Sequence, residues 1–291
     1  MQRISALPGT HGIPEGARAN PERVAILIHG AFVTPMCWRY FAPLFAARGF
    51  ITLVPAWPFK ERPVADQLMH ADPRLASVGI PQIVQHYAGI IRKQPGPPIL
   101  IGHSFGGLIV QILLDQGFGS AGIAISSVPP RGVSPVRVSV KSLRQMRSLF
   151  RKPFSWRKIL PPPRAGREQQ ALLEARGIET HLVPESGRIF WQLFSSAARV
   201  DFRNDGRSPL LLIACGQDLS MPVETVQRNR EMYRLSGART DFALFPHLTH
   251  FSIAEPGCDT LVARCAMWLE DLLAERGPGL AEAPAQSSVS A

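Results

Sequence analysis

The chain has 291 residues, of which 45% are hydrophobic and 19% charged, a composition that predicts a folded protein and excludes a disordered chain. Its four cysteines are too few for a disulfide scaffold, and no apolar run approaches the roughly 20 residues of a membrane-spanning helix. The formal net charge of +10 leaves four interpretations open: a nucleic-acid partner, a membrane surface, an anionic substrate, or a basic surface that is only solvated.

The positive charge is concentrated in one segment. Residues 132–206 contain 14 Lys or Arg and 6 Asp or Glu, a surplus of +8, whereas the rest of the chain carries +2. This shift in composition predicts a basic cap inserted between two parts of a nearly neutral core, which are residues 23–131 and 207–276. Residues 1–22 are interpreted as an N-terminal extension, and residues 277–291 as a disordered tail.

The start of the chain and its cysteines bear on location and cofactors. The N-terminal residues lack the apolar stretch of a secretory signal peptide, so a cytoplasmic location is the default expectation. The cysteines form no CxxC pair, and Cys215 lies in an apolar run that is typical of a buried, inert thiol. The sequence therefore predicts neither a metal site nor a cofactor.

Short apolar runs recur along the core segments, and turn-forming residues follow each of them. Their lengths and their lack of alternation predict strands of a parallel sheet, buried on both faces. Segments with helical spacing separate them, so the predicted fold class is α/β, with a mostly parallel, doubly wound sheet and ligand sites at the carboxyl ends of its strands. The predicted strands cover residues 24–30, 50–55, 98–104, 122–127, 209–216 and 240–246. The predicted helices cover residues 35–49, 80–93, 106–117, 222–237 and 259–277.

The third predicted strand ends in a GxSxG pattern that begins at Gly102, centres on Ser104 and ends at Gly106, and an apolar helix follows directly. The glycines permit a sharp turn from strand to helix that exposes the serine hydroxyl. The helix N-terminus behind the serine favours developing negative charge. This setting favours Ser104 as a nucleophile over a capping serine in an ordinary turn.

A serine hydroxyl needs a base to take its proton, and the base needs a third group to hold it. Asp218 follows the fifth predicted strand in a tight loop, where its other role would be turn formation, whereas its rivals Asp201 and Asp205 precede that strand. After the last strand, the sequence offers His247 and His250 as the base. His250 is favoured because it lies deeper in the loop, nearer the expected position of the serine.

The end of the first predicted strand supplies the loop His29, Gly30, Ala31 and Phe32. An oxyanion requires two backbone N–H donors, and the expected donors are those of Ala31 and of Phe105, which follows the nucleophile. Gly30 would let this loop approach the serine closely. His29 is expected to organise the loop rather than to take part in catalysis.

Four motifs, GHSFGG, HGAF, GQDLSMP and HFSIAEPG, occur together, and over roughly residues 22–275 the chain resembles the α/β-hydrolase-fold superfamily. The resemblance implies Ser104 as nucleophile, His250 as base and Asp218 as its orienting acid. It also implies that residues 132–206 are the variable, mainly helical cap, inserted after the sixth strand in the family's count, and that a substrate pocket lies between cap and core.

The motifs also narrow the choice within the superfamily. Members that open epoxides or remove halide have Asp at the nucleophile, so Ser104 disfavours both activities. Around HGA and GHSFGG the chain is similar to the methylesterase and hydroxynitrile lyase relatives, but the lyases carry Lys after the catalytic His and Thr in place of Gly30. Because Phe251 follows His250, the resemblance favours an ester-cleaving serine hydrolase, acting on an ester, lactone or thioester through an acyl-enzyme.

Two other classes of function stay open. A carbon–carbon bond hydrolase or a cofactor-free oxygenase on the same fold is the closer alternative, and a non-catalytic polyanion-binding protein is the remote one. The expected partner is a small molecule with an acyl group, anionic or aromatic in character, with no nucleic acid and no stable membrane span. The aromatic residues that could line an apolar pocket in the cap are Phe150, Phe154, Trp156, Phe190, Trp191 and Phe194.

Overall fold

A computed structural model describes residues 23–133, 159–162, 181–255 and 258–276. The strands are β1 (Val24–Ile28), β2 (Ile51–Leu53), β3 (Ile99–His103), β4 (Ala121–Ile125), β5 (Ile159–Leu160), β6 (Glu185–Ser186), β7 (Leu210–Cys215) and β8 (Thr240–Phe245). Six of them form one sheet in the order β2-β1-β3-β4-β7-β8, and every neighbouring pair in it is parallel. The predicted α/β class with a mostly parallel sheet is therefore confirmed. The N-terminal extension, the C-terminal tail and most of the basic insertion lie outside the described residues.

The helices agree with the sequence pattern where they are long. The predicted helix over 35–49 is instead divided into a 3₁₀ turn, Pro35–Trp38, and a short helix, and the helices that begin at Val64 and Gly187 were not predicted. The helices are α1 (Phe41–Ala46), α2 (Val64–Met69), α3 (Ile80–Ile91), α4 (Phe105–Asp115), α5 (Gly187–Gln192), α6 (Val223–Met232) and α7 (Asp259–Arg276).

The two faces of the sheet are covered by different helices. In β1, Ala25 and Leu27 face a cluster that includes residues of α1 and α7, whereas Ile26 and Ile28 face a cluster that includes residues of α3, α4 and α6. The same alternation runs through β7, where Leu211 packs into the first cluster. Successive side chains of a strand point to opposite faces, so a strand covered on both sides needs an uninterrupted apolar run.

Burial differs between the inner and the edge strands. All residues of β1, β3, β4 and β7 are buried, as the apolar runs predict. The edge strands β2 and β8 are mostly half-buried, so the prediction of burial on both faces was wrong for these two. An edge strand has a sheet neighbour on one side only, and an apolar run in the sequence does not reveal its place in the sheet.

Because the strands are parallel, all the predicted functional loops lie at the same side of the sheet, where the strands have their carboxyl ends. Ser104 follows β3, Asp218 follows β7 and His250 follows β8, while the loop that begins at His29 follows β1. Backbone bonds then draw two of these loops together, because the N–H of Gln217 donates to the carbonyl of Leu248 at 2.9 Å.

The described C-terminal part of the basic insertion packs against the core. The Ser186 hydroxyl donates to the carbonyl of Val78 at 2.6 Å, and the Gln192 side-chain oxygen accepts the N–H of Ile80, at the start of α3, at 2.7 Å. Ile189 is fully buried in the cluster that covers α3 and α4. The assignment of the whole of residues 132–206 to a cap stays a prediction.

Within the described ranges, no helix is both long enough and apolar enough to cross a membrane.

The close approach of Gly106 to the end of β1 predicts that Gly106→Ala loses much of its stability. A Cβ atom at Gly106 would lie 2.1 Å from the carbonyl oxygen of Ile28, so the backbone would have to move. We expect a loss of about 3 kcal/mol in the free energy of unfolding, measured by urea denaturation.

Gly89→Ala is the matched control, because a Cβ at Gly89 in α3 meets nothing within 4 Å. It should raise the free energy of unfolding by about 0.5 to 1 kcal/mol, since alanine is the better helix former. Equal stability of the two variants would contradict this packing.

Candidate active site

Ser104 lies at the turn between β3 and α4, in a backbone conformation that residues other than glycine rarely adopt. Its φ of 55° and ψ of −118° lie outside the regions favoured by residues other than glycine. Two hydrogen bonds hold the turn: the Ser104 N–H donates to Ile125 at 2.9 Å, and the N–H of Val128 donates to Ser104 at 3.0 Å. Such strain persists only where neighbouring structure maintains it, and it is common at functional sites.

The two glycines that flank this turn are required by close backbone contacts. A Cβ atom at Gly102 would lie 2.2 Å from the carbonyl oxygen of Gly106, and one at Gly106 would meet the end of β1. Since real Cβ atoms are not found at these distances, any larger residue would displace the turn. The GxSxG pattern is thus a packing requirement as well as a motif.

The structure brings Ser104, His250 and Asp218 together in one chain of hydrogen bonds. The Nε2 atom of His250 lies 3.1 Å from the Ser104 hydroxyl, and its Nδ1 atom lies 2.7 Å from Oδ2 of Asp218. A carboxylate only accepts, so the proton belongs on Nδ1 and the lone pair of Nε2 faces the serine. This is the tautomer that a general base for Ser104 requires.

Asp218 is held as a buried carboxylate. Its side chain is fully buried, and Oδ1 accepts the N–H groups of Ser220 at 2.7 Å and Met221 at 2.8 Å. Burial by itself would raise the pKa of Asp218. The nearby His250, its hydrogen bond and the Met221 N–H outweigh burial and hold the pKa below its usual value. The group is therefore ionised at neutral pH.

The loop that carries His250 is fixed by residues that sequence analysis missed. Buried Glu255 accepts hydrogen bonds from both the N–H and the hydroxyl of Thr249, and that hydroxyl accepts the N–H of Phe251 at 3.1 Å. Nε2 of His103 lies 2.6 Å from the carbonyl of His250. Burial, and to a smaller extent the neighbouring His250, lowers the pKa of His103 to about 3. The His103 ring is therefore neutral, and its Nε2–H donates this hydrogen bond.

Both ring nitrogens of His29 lie within hydrogen-bond distance of backbone groups, one in the loop after β1 and one at Trp57. Nε2 accepts the N–H of Trp57 at 3.0 Å, which leaves the proton on Nδ1, 2.8 Å from the carbonyl of Gly30. Burial, followed by the positive charge of Lys60, lowers the pKa of His29 well below its usual value, so the ring is neutral. The ring also stacks on Trp57, with centroids 4.9 Å apart.

The two amides predicted to bind an oxyanion belong to Phe105, which follows Ser104, and to Ala31, in the loop after β1. Phe105 is the first residue of α4, so its N–H is among those with no acceptor one turn earlier in the helix. Ala31 follows Gly30, where a Cβ atom would lie only 3.0 Å from the Cβ of Ser104. The loop after β1 thus passes directly over the serine.

The alternative residues lie elsewhere. His247 is exposed on the surface, whereas His250 is half-buried in the site. A carboxylate oxygen of Asp201 accepts the N–H of Arg203, and one of Asp205 accepts the N–H of Gly237, which ties both residues to turns. The distances therefore single out His250 and Asp218 from the candidates that the sequence offered.

The aromatic residues of the insertion divide into three groups. Phe150, Phe154 and Trp156 lie outside the described residues. Trp191 and Phe194 are 44% and 66% exposed, which is unsuited to lining a buried pocket. Phe190 packs against Phe32 and Phe105, at ring-centroid distances of 5.5 and 5.9 Å, and so lies beside the loop after β1 and the turn at Ser104.

Comparisons with known proteins agree with this architecture. The pattern of the family described as "Alpha/beta hydrolase family" matches residues 25–263. A pyrethroid hydrolase from Sphingobium faniae is similar in structure, with a TM-score of 0.59 and 19% identity, over 87% of this chain and 98% of that one. A monoacylglycerol lipase from Paleococcus ferrophilus has a TM-score of 0.60 and 17% identity, over 85% and 94% of the two chains.

A methylesterase from Arabidopsis is also similar, with a TM-score of 0.52 and 15% identity, over 85% of this chain and 99% of that one. No curated protein sequence matches the chain. At these identities the structural likeness concerns the fold.

The lowered pKa of Asp218 predicts how stability depends on pH. A carboxyl group whose folded-state pKa is depressed stabilises the fold above its unfolded pKa, and this contribution is lost as the pH falls through the folded pKa. Between about pH 5 and pH 3, the wild type should therefore lose more free energy of unfolding than Asp218→Asn, as measured by urea denaturation at each pH.

Ser104→Ala is the control, because it retains the pair of Asp218 and His250 and should follow the wild-type pH dependence. Parallel curves for the wild type and Asp218→Asn would mean that Asp218 is not held as a carboxylate in the folded state.

Proposed function

The chain belongs to the alpha/beta hydrolase family, and we propose that it is a serine hydrolase that cleaves a carboxylic ester, lactone or thioester through an acyl-enzyme on Ser104. The observation that carries the proposal is the chain of hydrogen bonds from Asp218 through His250 to Ser104, at 2.7 and 3.1 Å. This chain connects a buried carboxylate, an imidazole that carries its proton on Nδ1, and the serine hydroxyl.

In the first step, the Ser104 oxygen attacks the substrate carbonyl carbon while its proton moves to Nε2 of His250. The imidazole becomes positively charged, and the carboxylate of Asp218 stabilises that charge without taking the proton itself. The protonated Nε2 then donates to the leaving alcohol or thiol as the carbon–oxygen or carbon–sulfur bond breaks. An acyl group stays bound to Ser104.

The negative charge that develops on the carbonyl oxygen needs fixed donors. The N–H groups of Ala31 and Phe105 are proposed to supply them, and the N-terminus of α4 adds a favourable dipole. Removing one such donor typically costs about 10² to 10³ in rate. In the second half of the reaction, His250 activates water, which attacks the acyl carbon and releases Ser104.

The surroundings of the site favour an apolar acyl group. Phe32 and Phe105 are buried beside the turn at Ser104, and the rings of Phe190 and Trp57 pack against Phe105. Aromatic side chains supply large apolar contact areas. The partner is accordingly a small molecule, and the basic insertion would either select its charge or serve only as a solvated surface.

Covalent labelling with a fluorophosphonate probe tests the nucleophile. The wild type should be labelled once. Ser104→Ala should lose the label, and its ester hydrolysis should fall by about 10⁴-fold or more, because the proposed acyl-enzyme forms on Ser104. Labelling is followed by intact-protein mass spectrometry, and turnover with a panel of ester, lactone, thioester and amide substrates.

Ser208→Ala is the matched control, because the Ser208 hydroxyl donates to the carbonyl of Gly119 and Ser208 precedes β7, at the opposite edge of the sheet. It should be labelled like the wild type. A folded wild type that takes no label at Ser104 would refute the proposal. Ester turnover that survives in Ser104→Ala would instead favour a mechanism in which His250 acts without a serine nucleophile.

Gly30→Ala tests the close approach of the loop after β1. The added Cβ would lie 3.0 Å from the Cβ of Ser104 and 3.5 Å from its hydroxyl oxygen, so either the loop or the serine must shift. We expect kcat/KM for the best ester to fall by about 10- to 100-fold, because small displacements of reacting groups are costly.

Gly96→Ala is its control, since a Cβ there meets nothing within 4 Å, and it should keep wild-type kinetics. Wild-type kinetics in Gly30→Ala would contradict a catalytic role for this loop.

A further inference from the structure

A buried ion pair lies behind the proposed oxyanion loop, which we define as residues 29–32. The ammonium group of Lys60 lies 2.6 Å from Oε2 of Glu185, and both side chains are fully buried. Lys60 follows β2, whereas Glu185 belongs to the described end of the basic insertion, 125 residues further along the chain. The catalytic steps proposed above use neither residue.

The carboxylate of Glu185 also binds the backbone of the oxyanion loop. Oε2 accepts the N–H of Phe32 at 3.0 Å, and Oε1 accepts the N–H of Ser186 at 2.8 Å. The N–H of Val183 donates to the carbonyl of Phe32 at 2.7 Å. Both backbone polar groups of Phe32 are therefore bound by one short segment of the insertion.

The other end of the loop is bound on the side of Lys60. The N–H of Lys60 donates to the carbonyl of Trp57 at 3.1 Å, and its ammonium group lies 5.6 Å from the centre of the Trp57 ring. The backbone N–H of Trp57 in turn donates to Nε2 of His29, and the two rings stack. Ala31 thus lies between two attachment points, His29 and Phe32.

Phe32 requires such support because of its backbone. Its φ of 62° places a bulky residue in the left-handed region, which is unfavourable for residues other than glycine. A hydrogen bond to a charged acceptor is roughly twice as strong as a neutral one. The bond to Glu185 therefore opposes relaxation of Phe32. Such relaxation would turn the peptide between Ala31 and Phe32, and the N–H of Ala31 lies only one peptide further back in the same loop.

Stability alone does not account for a buried ion pair, because the cost of removing two charges from water often exceeds their mutual attraction. Burial lowers the pKa of Lys60, and the charge and hydrogen bond of Glu185 oppose that effect. Lys60 thus compensates a charge that has another task, which is to accept the N–H of Phe32.

We propose that Glu185, with its charge balanced by Lys60, is a positioning residue that holds the oxyanion loop so that the Ala31 N–H points at the reacting carbonyl oxygen. This inference rests on the proposed serine hydrolase function. It couples the basic insertion to the reaction, because the residue that sets the loop belongs to the insertion.

Two double variants separate positioning from charge burial. Lys60→Met with Glu185→Gln and Lys60→Met with Glu185→Leu both remove the two charges, but only the first retains an oxygen that can accept the Phe32 N–H. The second-order rate of fluorophosphonate labelling should be at least about tenfold lower in the Glu185→Leu double variant than in the Glu185→Gln one.

Steady-state kinetics with the best ester provide the readouts that a merely structural role would not move. The difference between the double variants should lie in kcat with little change in KM, because an oxyanion donor acts mainly in the transition state. The pH midpoint of kcat/KM should be the same in both, since His250 and Asp218 are unchanged.

Arg207→Met controls for loss of a buried charge elsewhere. The Arg207 guanidinium binds backbone carbonyls of Ala238 and Arg239, before β8, at the sheet edge opposite the site. This variant should lose stability yet keep the labelling rate. Should the Glu185→Leu double variant not fold, the single variant Glu185→Asp is compared with the wild type instead. It keeps both Lys60 and the negative charge, but it withdraws the acceptor by one methylene group.

Amide hydrogen exchange at Phe32 provides a measurement that does not depend on activity. Exchange should be slow in the wild type and in the Glu185→Gln double variant, and faster in the Glu185→Leu one. Equal labelling rates in the two double variants, or equal exchange at Phe32, would overturn the positioning role. A wild type that takes no label at Ser104 would instead refute the proposed function, and the two failures are therefore distinguishable.

Discussion

The contact between the first turn of α4 and the end of β1 determines where every other part of the site can lie. Gly106 approaches the carbonyl of Ile28 so closely that a Cβ atom would lie 2.1 Å from it. This contact places the strained turn at Ser104 beside the oxyanion loop, and it is possible only because β1 and β3 are parallel neighbours in the sheet. The proposed nucleophile and one of its proposed oxyanion donors are therefore brought together by backbone packing.

The polar groups around this contact are held almost entirely by neighbours at the same sheet edge. Asp218 accepts hydrogen bonds from two backbone N–H groups and from the imidazole of His250. Glu255 and His103 form hydrogen bonds with the backbone of the loop that carries His250. The carboxylates of Asp218 and Glu255 and the Nε2 atom of His103 each have a defined partner, which is what low-dielectric surroundings demand. For the proposed reaction such an arrangement is preorganised, so little reorganisation would be needed as charge develops.

The basic segment contributes more than charge. Its described end lies against α3 and the loop before it, and through Glu185 it reaches the oxyanion loop. The +8 surplus of residues 132–206 by itself fits either a solvated surface or a segment that selects a charged partner. Its described residues add a second role, since a segment that sets the oxyanion loop would influence the rate of any substrate, charged or neutral.

The sequence by itself determined the α/β class, the positions of the six sheet strands, and Ser104, Asp218 and His250 as the residues to bring together. Those features depend on local apolar runs, on glycines at a sharp turn and on polar residues at strand ends, all of which are visible in short stretches of sequence. Tertiary structure alone decided which strands lie at the sheet edges, why residues 35–49 form no continuous helix, and that Lys60 meets Glu185 across 125 residues. Neither of those two residues belongs to a motif, and a buried ion pair is defined only by the distance and the surroundings that folding creates.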